Sequence, residues 1–183
     1  MANVAKHKAS LVHSAMRLFR RQGYASSGLQ QILAESGAPK GSLYHYFPSG
    51  KEALAAAAVE LAGGMVGEML AGLAARHRDA KPFLRAYCRV MAGWMEESGF
   101  RSGCPIATTL LETAPASPAI TAAGQRAIAG WVAIVAEVLA RGGLAPREAR
   151  SRAQLIIAAM EGALILARVR QSAQPILDVA KLA

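Results

Sequence analysis

Acidic side chains are nearly missing from the first fifty residues, where Glu35 stands alone against Lys6, Lys8, Arg17, Arg20, Arg21 and Lys40. From residue 51 onward fifteen lysines and arginines face eleven acids, so more than half of the formal net charge of +9 sits in the N-terminal segment. A compact basic end calls for a polyanionic partner, either nucleic acid or an anionic membrane surface. Cysteine is scarce as well. Cys88 and Cys104 are too few for a disulfide framework or a thiolate metal site. They read as small buried hydrophobes of a reducing, cytoplasmic protein, with a redox-sensing pair as the alternative. β-branched runs are few and short, while alanine, leucine, arginine, methionine and glutamate dominate. That composition points to an all-α protein.

Toward the C-terminus a long apolar run is lacking too. The longest nearly uncharged stretch near the C-terminus, "LIIAAMEGALILA" (155–167), contains Glu161 and is shorter than the roughly 18 to 20 residues of a membrane span. No membrane partner is expected from it. The first residues have neither the apolar block nor the cleavage site of a secretory signal. Their basic, acid-free character matches a transit peptide only in composition, and Leu11, Ala15, Leu18 and Phe19 fit a helix in a folded domain better. What is present is a 53% hydrophobic chain, enough for a buried core. Aromatic residues number only ten, yet Tyr44, Tyr46 and Phe47 crowd into one segment, "GAPKGSLYHYFPSGKEAL" (37–54).

Periodicity and punctuation divide the chain. A helix over 4–22 carries the stripe Leu11, Ala15, Leu18 and Phe19 and ends at Gly23. A short second helix follows Ser27, which has capping-box spacing to Gln30, and Gly37 ends it with Ile32 and Leu33 facing inward. Pro39 and Pro48 bracket a third helix over 40–46. A long helix is expected over 50–77, where Gly63, Gly64, Gly67 and Gly72 mark a bend or the close approach of another helix. Further helices are expected over 80–98, 106–113, 118–141 and 146–171, with a last short one after Pro175. The division this suggests is a small basic domain over 1–50 and a larger helical domain over 51–183, the helix after Pro48 connecting them.

Two short helices around a tight glycine-containing turn form a helix-turn-helix. A recognition helix must be short, exposed at its N-terminal end and held by a small core beneath it. Leu43 and Phe47, one turn apart, supply that core with Ile32 and Leu33. Gly41 permits close approach of DNA, and Lys40 and Ser42 can reach base edges or phosphate. Tyr44 and His45 can hydrogen-bond phosphate, Tyr46 is expected to be exposed or half-exposed, and Lys51 can pair with phosphate.

The stretch "RLFRRQGYASSGLQQILAESGAPKGSLYHYFPSGKEAL" resembles the DNA-binding domain of the TetR family of bacterial repressors. With "GCPIATTLLE" at 103–112, the resemblance narrows to the LmrA/YxaF-like branch. It implies an all-α homodimer with a three-helix DNA-binding head and a C-terminal ligand pocket, released from operator DNA by its ligand. By position it puts Lys40, Gly41, Ser42, Tyr44, His45 and Tyr46 in the recognition helix, Ser27 near the start of the preceding helix and Lys51 at the start of the connector. Two departures stand out: Pro39 replaces a Ser or Thr cap, and Gly50 adds a residue before Lys51, which bears on that lysine's reach.

For the second domain, Met65, Met69, Tyr87, Met91, Trp94, Met95, Leu110, Leu111 and Trp131 are candidates to line an adaptable apolar pocket, although ordinary core uses the same residue types. The effector such a pocket takes is small and hydrophobic or aromatic. The 155–167 stretch is apolar nearly all round and needs cover on two sides. In the TetR-like reading the second cover is a partner subunit in a four-helix bundle, with Trp131, Val135, Ile156, Ala159, Met160, Ala163 and Ala167 at the interface.

Enzyme readings find little support. There is no phosphate-binding G-x-x-x-x-G-K-[ST], no dinucleotide fingerprint after a strand and no G-x-S-x-G, and the four histidines lack metal spacing. No catalytic residue, metal or cofactor is expected. The reading is a ligand-responsive repressor that binds a palindromic operator in double-stranded DNA. Its rivals are a basic membrane-surface or protein-interaction module and a small all-α enzyme.

Overall fold

A computed structural model describes residues 2–182, with side chains described from residue 6 onward. Among them every regular element is helical: α1 (Ala2–Gln22), α2 (Leu29–Ser36), α3 (Lys40–Tyr46), α4 (Lys51–Arg76), α5 (Ala80–Glu97), α6 (Ala107–Thr113), α7 (Pro118–Arg141), α8 (Pro146–Arg170) and α9 (Gln174–Asp178), closed by a 3-10 turn at Val179–Leu182. These helices pack as two units, Met1–Gly64 with Pro105–Ala127, and Met65–Cys104 with Ile128–Ala183. The long helices α4 and α7 contribute to each. Both are long and apolar enough by composition to cross a membrane, yet each also buries part of its surface in protein.

The first unit is organised by the expected stripe on α1. Leu11, Ala15, Leu18 and Phe19 are all buried, joined by Val12, and α1 packs against α2 and α3. Ile32 and Leu33 from α2, Leu43 from α3 and Leu54 from α4 complete a small apolar core. Burying one such side chain stabilises by about 1.5–3 kcal/mol. The capping box does not form. The N-cap of α2 is Gly28, without a side-chain cap, and the Ser27 hydroxyl turns back to donate to the Gly23 carbonyl at 2.7 Å. Within the same unit α4 meets α7 closely. A Cβ on Gly63 would lie 2.5 Å from that of Ala127, so the glycine is needed for the approach rather than for a bend. Glu60 pairs with Arg126 near that contact, and toward the other end of the helix pair Ser117 donates to Glu52.

In the second unit α5 buries Phe83, Leu84, Tyr87, Cys88, Met91, Ala92 and Met95, a continuous apolar face at helical spacing. α8 buries its own stripe from Ala149 to Ala167, and both helices pack against α9. Neither cysteine forms a disulfide. Burial pushes the Cys88 thiol up to about 11, which keeps it protonated and unreactive at neutral pH. Burial also raises the Glu161 carboxyl above its ordinary 4.5, partly offset by a hydrogen bond with Cys104. The fold therefore favours the protonated acid. Its stabilising contribution is complete below the unfolded value and is lost as pH rises through the raised folded one. Glu161→Gln, which cannot ionise, should raise the melting temperature at pH 7–8 more than at pH 4, as thermal denaturation across that range would show.

Candidate nucleic-acid interface

The helix-turn-helix is assembled around α3. Pro39 stands at its N-cap with φ −58°, and the chain leaves the helix at Phe47. Leu43 is fully buried and Phe47 nearly so, and they hold one face of α3 against the head. The opposite face is open. Lys40, Gly41, Tyr44 and His45 are exposed, while Ser42 and Tyr46 are half-buried. Tyr44 keeps 52% of its surface in water, far above what a ring recruited for packing would keep. His45 and Tyr46 meet edge to face with ring centroids 4.9 Å apart, and Tyr46 lies 6.5 Å from Phe47, so the polar rings are braced from the core side.

Electrostatics favour an anion over this face. Arg17 pairs with Glu35 at 2.9 Å, which uses the sole acid of the first fifty residues. Helix α3 itself carries Lys40 and no acid, so nothing on it repels an anion.

Two expected site residues sit elsewhere. Ser27 is completely buried and its hydroxyl is donated to Gly23, so its side chain has nothing to offer a phosphate. Lys51 does begin α4, after a turn in which Gly50 adopts φ 64°. Its ammonium, however, lies 4.3 Å from the centroid of the Tyr24 ring and donates to the Ala25 carbonyl at 3.4 Å. Partial burial lowers its pKa, and the negative charge of Glu112 acts in the opposite direction. Lys51 is thus folded onto the α1–α2 turn.

That turn contains a group the sequence reading passed over. Glu112, on α6, accepts the backbone N–H of Tyr24 at 3.1 Å and of Ala25 at 2.6 Å. Gly23, with φ 88°, leaves the carboxylate its space, since a Cβ there would collide with Glu112 Oε1. One acid from α6 thereby fixes the path by which α1 gives way to α2. Only the position of "GCPIATTLLE" in the chain was available to suggest it, and a contact spanning 88 residues leaves no local trace.

The expected interface and pocket residues also need correction. Trp131, Val135, Ile156, Met160, Ala163 and Ala167 are buried inside their own chain, and Ala159 is half-buried. The uncovered stripe of α8 is instead Leu155, Ala158, Gly162, Ile165, Leu166 and Val169, a three-and-four spacing along one face. Among the pocket candidates Tyr87, Met91, Met95 and Trp131 are buried, Met69, Trp94 and Leu110 half-buried, and Met65 and Leu111 exposed, Leu111 by 81%. Leu111 therefore lines no interior site.

A short exposed helix held on a three-helix core is the plan of a helix-turn-helix DNA-binding module. Sequence comparison agrees. Residues 11–58 match the profile of bacterial regulatory proteins of the tetR family, and residues 80–182 that of the LmrA/YxaF-like regulator C-terminal domain. The HTH-type transcriptional regulator YxaF of Bacillus subtilis is 33% identical over 99% of this chain and 95% of its own. LmrA of the same organism is 30% identical over 94% and 92%. A TetR regulator structure from Chloroflexus aurantiacus superposes with a TM-score of 0.81 at 31% identity, covering 99% of this chain and 93% of that one. The chain belongs to the TetR family of bacterial transcriptional regulators, in its LmrA/YxaF-like branch. It is a regulator and not an enzyme.

Because the Glu112 carboxylate sets the α1–α2 turn, Glu112→Ala should weaken DNA binding although Glu112 belongs to no recognition element. A loss of roughly 1 kcal/mol, about fivefold, is expected from the hydrogen bonds removed. Fluorescence anisotropy on DNA from the protein's own upstream region measures it, and Glu112→Gln should recover part of the loss.

Proposed function

We propose that this protein is a ligand-responsive repressor that binds an inverted-repeat operator as a homodimer and is released by a small hydrophobic or aromatic effector. The observation that carries the reading is the open face of α3, with Lys40, Gly41, Tyr44 and His45 outward, Ser42 half-buried, and Leu43 and Phe47 inward. Lys40 and Ser42, near the N-terminal end of the helix, are the groups to reach base edges, and Gly41 lets the DNA come close. Tyr44, His45 and Tyr46 serve phosphate oxygens. Lys51 supports the turn rather than the phosphate. In this reading residues 1–50 act as the DNA-binding domain and residues 51–183 as the effector and dimerisation domain of a cytoplasmic regulator.

The partner for dimerisation is a second copy of the chain. Leu155, Ile165 and Val169 on α8 are 66%, 62% and 77% exposed, an apolar stripe too long to leave in water on a stable monomer. Ala158 and Gly162 between them allow close helix packing. A twofold dimer places its two recognition helices on half-sites one DNA turn apart, about 34–36 Å or a multiple of it. Effector binding among residues such as Tyr87, Met91, Trp94 and Met95 would change that spacing. Occupied operator DNA is then closed to transcription, and an effector that alters the spacing frees it.

Lys40→Ala should weaken operator binding by roughly 1–3 kcal/mol, with affinity falling steeply as salt rises. A mobility shift on the upstream DNA, repeated with hydrophobic compounds, tests the whole scheme. Binding that ignores Lys40 and salt would refute it. The paired change Ile165→Glu with Val169→Glu should convert the dimer to monomer in analytical ultracentrifugation and abolish tight operator binding. A dimer that survives would place the interface elsewhere.

A further inference from the structure

Helix α5 carries its charges in an order that does not serve its own stability. Lys81 and Arg85 lie in its N-terminal half, Arg89 at its middle and Glu96 and Glu97 in its last turn, which apart from Asp79 at the N-cap is the reverse of what the helix dipole favours. The three cations are spaced four residues apart, so they form one row about 12 Å long, and each like-charged neighbour destabilises the other. All three are exposed, and among the described residues no acid pairs with any of them. A solvated surface gains nothing from this arrangement.

The row borders a cavity of about 620 Å³. Lys81, Arg85 and Arg89 form one wall, and Lys181 with Leu177 and Ala180 forms the other. Lys181 reaches across from the C-terminal 3-10 turn and is held at 2.8 Å by Asp178, itself bonded to Gln174 at 3.0 Å. Leu177 is 39% exposed and offers an apolar patch beside the four cations. Cys88 lies at the buried edge, and its protonated thiol adds no negative charge. None of the nine residues considered for an effector pocket lines this cavity.

We propose that this groove is a binding site for a small organic phosphate bearing two or more anionic groups, separate from the DNA-binding face and from the hydrophobic effector pocket. Arginine forks at positions 85 and 89 suit phosphate oxygens, because the planar guanidinium offers parallel donors. A single anion would satisfy one fork, whereas groups spread along about 12 Å engage the row. Leu177 and Ala180 receive the apolar part of the molecule. The site stands independently of the reading as an effector-released repressor.

Titration calorimetry of the full-length protein with sodium tripolyphosphate, at 150 mM salt, tests the groove. Tripolyphosphate should bind at least tenfold more tightly than inorganic monophosphate. Arg85→Gln with Arg89→Gln should weaken it at least tenfold, and Lys181→Gln, on a different element, at least threefold. Lys40→Ala, in the head, should leave it unchanged. Circular dichroism melts of each variant establish that the fold is kept. Equal binding by wild type and the groove variants, or loss of binding in Lys40→Ala, would overturn the proposal. Two further arms decide the source of the anion. Groove variants should bind upstream DNA as the wild type does, and a loss there would reassign the cations to nucleic acid. Groove-dependent capture by phosphatidylglycerol vesicles without tripolyphosphate binding would reassign them to a membrane surface and overturn a soluble ligand.

Discussion

A helix of seven residues has almost no stability in water, because nucleation costs more than so few hydrogen bonds return. The recognition helix of this protein exists only because Leu43 and Phe47 are buried in the head. Those two side chains fix which face of α3 is turned away from solvent and therefore which face is left open. The arrangement of Lys40, Tyr44 and His45 is a consequence of that burial. Everything else in the first unit supports it: the α1 stripe supplies the floor, and α2 positions Ile32 and Leu33 beside it.

Around this core the head is joined to an element far along the chain. Glu112 holds the α1–α2 turn by two backbone N–H groups, Gly23 makes room for it, and Lys51 lies over the Tyr24 ring beside it. The turn is thus set by a carboxylate, a glycine with a left-handed φ and a cation over an aromatic ring. This accounts for the diversion of Lys51. A ring face, a carbonyl and a neighbouring carboxylate all attract an ammonium, and Lys51 takes those partners. It also explains why packing joins α6 to the head.

Much of the architecture is legible in the sequence itself. Prolines at 39 and 48 bounded α3 because each prevents continuation of a helix, and the 11–15–18–19 spacing marked the buried face of α1 because 3.6 residues make a turn. The helices expected over 80–98 and 118–141 from amphipathic period and flanking punctuation form at Ala80–Glu97 and Pro118–Arg141. The family resemblance, carried by "KGSLYHYF" and "GCPIATTLLE", was equally plain. The capping box at Ser27 failed because the hydroxyl had a better acceptor in Gly23, four residues back, than the amide it was expected to cap.

Local sequence thus determined what each segment is: which stretches are helical, where they stop, which stripe of an amphipathic helix is apolar, and that the basic charge is gathered at one end. Those properties depend on neighbours within a turn or two, so they are written in consecutive residues. Only the tertiary structure decided which apolar stripe of α8 faces home, because a helix apolar on every side gives no preference until its neighbours are placed. It likewise decided that Lys51 serves a turn, that Glu112 secures it from 88 residues away, and that Lys181 closes a groove with Arg85 and Arg89. These are meetings of distant residues, and their partners are specified by packing rather than by spacing along the chain.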